Sequence, residues 1–227
     1  MRKIEIINQK RFGVEIECLI RKIIFSDIEW KYWQGMGFSI EEDGSIRNSK
    51  NLDNFKPIEF QTPPLSGLEG IKILSKFFEF LKRYDISVNK SCGLHIHHDC
   101  NDFQTENFRS LLSLLIVLNY SIRYLVKKHR RNNSYCKFNN IVKEEHISEI
   151  LRENSSIECM LHCWNYQGKY TWVNINSFWE YGTVEFRCHE ATTNLLSIIN
   201  WIILTSNIVY AAQNYDYSKL AEKFLMR

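Results

Sequence analysis

Apolar and polar residues change places at every step along residues 11–19. Phe12, Val14, Ile16 and Cys18 fall on one side, and Gly13, Glu15 and Glu17 on the other, which is the period of a strand. A second strand is expected over 57–62, stopped by Pro63-Pro64, and a third over 93–99, where Leu94 and Ile96 oppose His95, His97 and Asp99. Two more are expected over 170–176 and 183–189, joined by a short connection containing Gly182. Between them the spacing changes to that of helices. Residues 67–84 carry Leu68, Ile71, Leu74, Phe78 and Leu81 on one face, 105–128 form a long helix capped near Thr105, 143–162 a helix broken around Asn154-Ser155-Ser156, and 195–213 a last apolar helix. An aromatic stretch, Trp30, Tyr32 and Trp33, precedes a turn marked by Asp43-Gly44.

Interspersed strands and helices with short strand connections predict an α+β fold with a mainly antiparallel sheet and helices packed on one face. We expect a single domain over 1–227, since no linker, repeat or low-complexity stretch interrupts the chain. The composition, 44% hydrophobic and 14% aromatic, supplies a core. A formal charge of only +3 argues against nucleic-acid or membrane-surface partners. The apolar runs 111–118 and 195–212 both fall short of the roughly 20 uninterrupted apolar residues of a span. Seven cysteines, and no apolar run after Met1-Arg2-Lys3, predict reduced thiols in the cytoplasm.

The polar sides of the predicted strands are unusual. They carry Glu15 and Glu17, Glu59, His95, His97 and Asp99, and Glu185, Arg187 and His189, with no lysine at the alternating positions. A solvent face more often carries Lys, Thr, Ser and Gln, and clustered carboxylates repel one another unless cations neutralise them. Hard divalent cations such as Mg²⁺ take carboxylate oxygens and keep positions for phosphate oxygens. With Arg187 nearby, the pattern suits a metal–phosphate complex, although neither a Walker A loop nor GxGxxG is present. Arg130 and Arg131 read equally as phosphate ligands and as a basic helix C-terminus. Cys159, His162 and Cys163 have ligand types at helical spacing but lack the paired CxxC of structural zinc sites.

Seven motifs occur in order: Phe-Gly-Val-Glu-Ile-Glu at 12–17, Glu-Asp-Gly-Ser-Ile at 42–46, Ile-Glu-Phe-Gln-Thr-Pro-Pro-Leu at 58–65, Cys-Gly-Leu-His-Ile-His at 92–97, Arg-Arg-Asn-Asn-Ser-Tyr-Cys at 130–136, Lys-Tyr-Thr-Trp-Val-Asn at 169–174 and Gly-Thr-Val-Glu-Phe-Arg at 182–187. The set resembles the amidoligase family, distantly similar to glutamine synthetase and glutamate–cysteine ligase. A mild departure is Thr62, where the family usually has Ser before the two prolines.

The resemblance implies a glutamine-synthetase-like domain with its active site on the concave face of a curved sheet. It implies an ATP- and Mg²⁺-dependent ligase, with Mn²⁺ as an alternative cation, joining a small-molecule or peptide carboxylate to an amine through an acyl phosphate. On this reading Glu17 and Glu59 hold one Mg²⁺, and Glu15, His95 and Glu185 hold the other. His97 and Arg187 face the phosphates, Asp43 and Ser45 line the substrate side, and Arg130, Arg131 and Asn174 complete the phosphate and carboxylate contacts. Two other functions fit the same residues: a metal-nucleotide-binding regulatory module, and a metallohydrolase using water in place of the amine.

Overall fold

The protein was analysed as a computed structural model, which describes residues 10–21, 24, 27–48, 55–138, 144–164 and 168–225. The chain is α+β, with a mostly antiparallel open sheet and helices. The strands are β1 (Arg11–Arg21), β2 (Ser39–Glu42), β3 (Phe55–Gln61), β4 (Leu65–Ser66), β5 (Gly93–Asp99), β6 (Val173–Asn174) and β7 (Thr183–Glu190). The fold gathers into two compact units, Met1–Ile96 with His189–Ile203, and His97–Cys188 with Leu204–Arg227. The chain passes from one unit to the other inside β5, returns inside β7 and passes again inside the helix Leu195–Asn214.

In the first unit the strand order is β2-β3-β1-β5, with β4 paired to β1. Both β1 and β2 run antiparallel to β3, which places Glu17 and Glu41 on either side of Glu59, and Glu15 and Ser39 on either side of Gln61. Directly paired residues share a face, so a row of glutamates crosses three strands beside a row that is Glu, Gln and Ser. The other face is apolar: Cys18, Ile20, Ile58 and Phe60 are buried in one cluster with Trp30, Trp33, Phe38 and Phe77. The aromatic stretch expected only as a segment is a helix, Ile28–Gly35. Asp27 caps it by accepting a hydrogen bond from the Glu29 N–H, and Trp30 and Trp33 are its buried residues.

Helix Gly67–Leu81 ends three residues before the expected limit, in a 3-10 turn over Lys82–Tyr84. The turn marked by Asp43-Gly44 directly follows β2, closed by the Ser45 N–H on Asp43 Oδ1. Thr62 keeps the hydroxyl at the departed position: its Oγ1 accepts from the Val14 N–H, and its own N–H donates to the Val14 carbonyl. That reciprocal pair closes the β1–β3 ladder just before the prolines.

In the second unit the order is β5-β7-β6, with β6 antiparallel to β7 and Asn174 opposite Glu185. The expected strand over 170–176 is shorter, since only Val173 and Asn174 belong to a strand and Thr171 makes a single bridge to Lys137. The connection to β7 is a helical turn, Ser177–Tyr181, closed by Gly182 at φ +66°. A Cβ on Gly182 would lie 2.0 Å from Asn101 Oδ1, so both the left-handed backbone and the close approach require glycine.

The long helix is Thr105–Leu125, capped by Gln104 in a capping box with Asn107 rather than by Thr105. The expected helix over 143–162 is two helices, Glu144–Leu151 and Ile157–Trp164, with Lys143 outside the described residues. The break falls at the predicted Asn154-Ser155-Ser156. Helix Leu195–Asn214 is long and apolar enough to cross a membrane by length and composition, yet Thr205 and Ser206 along it are buried in the protein.

Candidate active site

In the first unit β1 carries Glu15 and Glu17, β3 carries Glu59, and β5 carries His95. Their side chains meet at the imidazole. His95 Nδ1 lies 3.0 Å from Glu15 Oε2 and 3.8 Å from Glu59 Oε2, and His95 Nε2 lies 3.4 Å from Glu17 Oε1. Glu17 and His95 are buried. Ligand atoms of Glu17, Glu59 and His95 all fall within 4.8 Å of one another, a grouping able to hold a metal ion. The set brings together residues up to 80 positions apart in sequence.

Burial pushes the Glu59 carboxyl up to about 7, helped by the neighbouring Glu15 charge and opposed by His95 and the Gln61 hydrogen bond. Glu17 and Glu59 each also have a defined tether. The Gly93 N–H donates to Glu17 Oε2 at 2.6 Å, and Gln61 Nε2 donates to Glu59 Oε1 at 2.9 Å. Gln61 escaped the sequence reading although it shares the Glu59 face two residues on, a position visible in the strand period.

The second unit holds its own polar cluster. Asn174 Nδ2 donates to Glu185 Oε2 at 2.7 Å, and Arg187 Nη1 pairs with Glu185 Oε1. His97 Nδ1 is 2.9 Å from Thr183 Oγ1, and its Nε2 is 3.9 Å from Glu185 Oε1. Arg187 Nε is buried with no hydrogen-bond partner among the described residues, an unsatisfied donor of the kind that a bound anion completes. Glu185 belongs to this second unit.

Other expected residues stand in different settings. Asp43 and Ser45 form the turn after β2, where the Asp43 carboxylate serves the turn. Arg130 is buried and donates to the carbonyls of Arg187 and Cys188, while Arg131 donates to the carbonyls of Val126 and Tyr124. Asp99 accepts from Asn101, and the His189 ring packs on Trp201 with centroids 4.8 Å apart. Cys92, Cys100 and Cys188 are fully buried core residues. Cys159 Sγ lies 3.3 Å from Glu149 Oε1 of the preceding helix.

A buried imidazole among three sheet-borne carboxylates, on an α+β scaffold, is a donor set of the kind that can hold a cation. The sequence matches the family described as "Putative amidoligase enzyme" over residues 26–209, and the chain belongs to that family. The matched region contains Glu59, His95, His97, Glu185 and Arg187 and begins after Glu15 and Glu17. No curated protein matches the chain. Among solved structures, the chain is similar to a bifunctional glutathione synthetase from Pasteurella multocida at 13% identity and a TM-score of 0.45. That similarity covers 96% of this chain and 41% of the synthetase chain.

Proposed function

We propose that the protein is an ATP- and Mg²⁺-dependent ligase of the glutamine-synthetase type, which activates a carboxylate as an acyl phosphate and transfers it to an amine. The observation that carries this reading is the buried Glu15–Glu17–Glu59–His95 cluster in a chain of the amidoligase family. Its donors fit a hard divalent cation. Three carboxylates and one imidazole are of the right type for Mg²⁺ or Mn²⁺, and the Glu59 carboxyl, raised by burial and then by the Glu15 charge, is a group whose ionised form a cation would stabilise. A bound cation supplies charge neutralisation at the phosphoryl oxygens.

The residues divide the work by their surroundings. Glu17 and Glu59 hold a cation, and Glu15 fixes the His95 ring through Nδ1. In the second unit Glu185 is a further carboxylate of ligand type, oriented by Asn174. Arg187, with its unsatisfied Nε, is the group assigned to the charge of a transferring phosphoryl group. His97 is held for the same purpose by Thr183. Arg130 holds the main chain at Arg187 and Cys188, so its assigned role is to position Arg187. Asp43 and Ser45 remain assigned to the side of the acyl or amine substrate.

The test is ADP and phosphate release from Mg-ATP in the presence of pooled amino acids, polyamines or peptides. Acceptor-dependent release is expected, falling about 10- to 100-fold in Glu185→Gln, the scale on which changes around a metal site act. Unchanged turnover in that variant would defeat the residue assignment. Amide hydrolysis without nucleotide would replace the ligase with a hydrolase, and ATP binding without any acceptor turnover would favour a regulatory module.

A further inference from the structure

Gln61 is part of the polar face of β3, and three contacts define its place. Its Nε2 donates to Glu59 Oε1 at 2.9 Å, its Oε1 accepts from Ser39 Oγ at 3.0 Å, and the β-sheet register sets it between Glu15 and Ser39. The ionised Glu59 carboxylate only accepts, so it requires the amide nitrogen on its side, and the Ser39 hydroxyl donates to the amide oxygen on the other. With the oxygen turned to Ser39, the amide nitrogen faces Glu59.

The consequence falls on the carboxylate. Glu59 Oε1 is held by Gln61, while Glu59 Oε2 is the oxygen turned toward His95, 3.8 Å away. Glu17 shows the same division: Oε2 takes the Gly93 N–H, and Oε1 faces His95 Nε2. Two carboxylates in one cluster are thus each presented by a single oxygen. Single-oxygen ligation suits a small cation at near-octahedral geometry that keeps several waters, whereas Ca²⁺ readily takes both oxygens of a carboxylate.

We propose that Gln61, anchored by Ser39, is a positioning residue that restricts Glu59 to one ligating oxygen and tunes the cluster to Mg²⁺ over Ca²⁺. The inference rests on the reading of the cluster as a cation site. It adds a selectivity device set by two uncharged side chains on neighbouring strands. Without the amide, Glu59 is free to rotate and offer both oxygens, which weakens the small-cation geometry and relaxes discrimination against the larger ion.

The experiment titrates MgCl₂ and CaCl₂ separately into metal-free full-length wild type, Gln61→Ala and Ser39→Ala, without nucleotide. Thermal melting and calorimetry give the half-saturating concentration for each cation. Wild type is expected to bind Mg²⁺ at lower concentration than Ca²⁺. In Gln61→Ala the Mg²⁺ midpoint rises about 10-fold or more, the scale for residues that orient metal ligands, and the Ca²⁺ midpoint rises less. Ser39→Ala moves the same ratio in the same direction by a smaller factor, and it carries the test if Gln61→Ala fails to fold. Equal shifts of both midpoints, or midpoints within twofold of wild type, overturn the positioning role while the cation site stands. A wild type indifferent to both cations overturns the cation reading and this inference together.

Discussion

The Glu59 carboxyl stands at about 7, above its ordinary 4.5, because burial and the Glu15 charge disfavour its ionised form. The linkage has a definite sign. Folded protein binds this proton more tightly than unfolded chain, so the contribution to stability is present below about pH 4.5 and is lost as pH rises through about 7. The loss amounts to at most about 3 kcal/mol. Urea unfolding of metal-free protein from pH 4.5 to 8, compared with Glu59→Gln, should show wild type losing stability relative to the variant across that window. A pH-independent difference between them would contradict the charge argument. The Glu and His types at these positions were legible in the sequence, because strand period places every second residue on one face. Gln61 was equally placed by period, but an uncharged amide beside a glutamate draws no notice until its partner atoms are known.

Among elements, the pairing of β3 with helix Gly67–Leu81 shows how packing supports the polar face. Phe77 is fully buried, with ring centroids 4.4 Å from Phe38, 5.1 Å from Trp33 and 5.5 Å from Phe60, the residue between Glu59 and Gln61. Phe77→Ala is expected to lower unfolding stability by about 3–5 kcal/mol, whereas Leu68→Ala, at an exposed position of the same helix, should change it by about 0.5 kcal/mol or less. Denaturant midpoints at constant m-value check both. The longer elements were readable because many repeats of one period accumulate in them. β2, helix Ile28–Gly35 and the Ser177–Tyr181 turn were not, since four to eight residues contain too few repeats and draw their stability from tertiary burial.

For the molecule as a whole, all seven cysteines are free thiols, and all except Cys159 are buried. The Cys159 thiol is itself raised by burial and by its neighbour Cys163, which keeps it from ionising readily. Thiol titration of native protein should therefore show one slow group, faster as pH rises, and seven groups once the chain is unfolded in denaturant. Several fast native thiols would mean that the buried cysteines are more open than described. Residue alternation by itself determined that Glu15, Glu17, Glu59, His95, Glu185 and Arg187 lie on polar strand faces, because backbone geometry alone sets that period. Ordered motifs likewise determined the family. Only the tertiary structure decided that His95 sits among three glutamates, that Gln61 and Ser39 hold one of them, and that Arg130 is spent on main-chain carbonyls. Those facts depend on strand register and on contacts between residues as many as 80 positions apart, which no local pattern encodes.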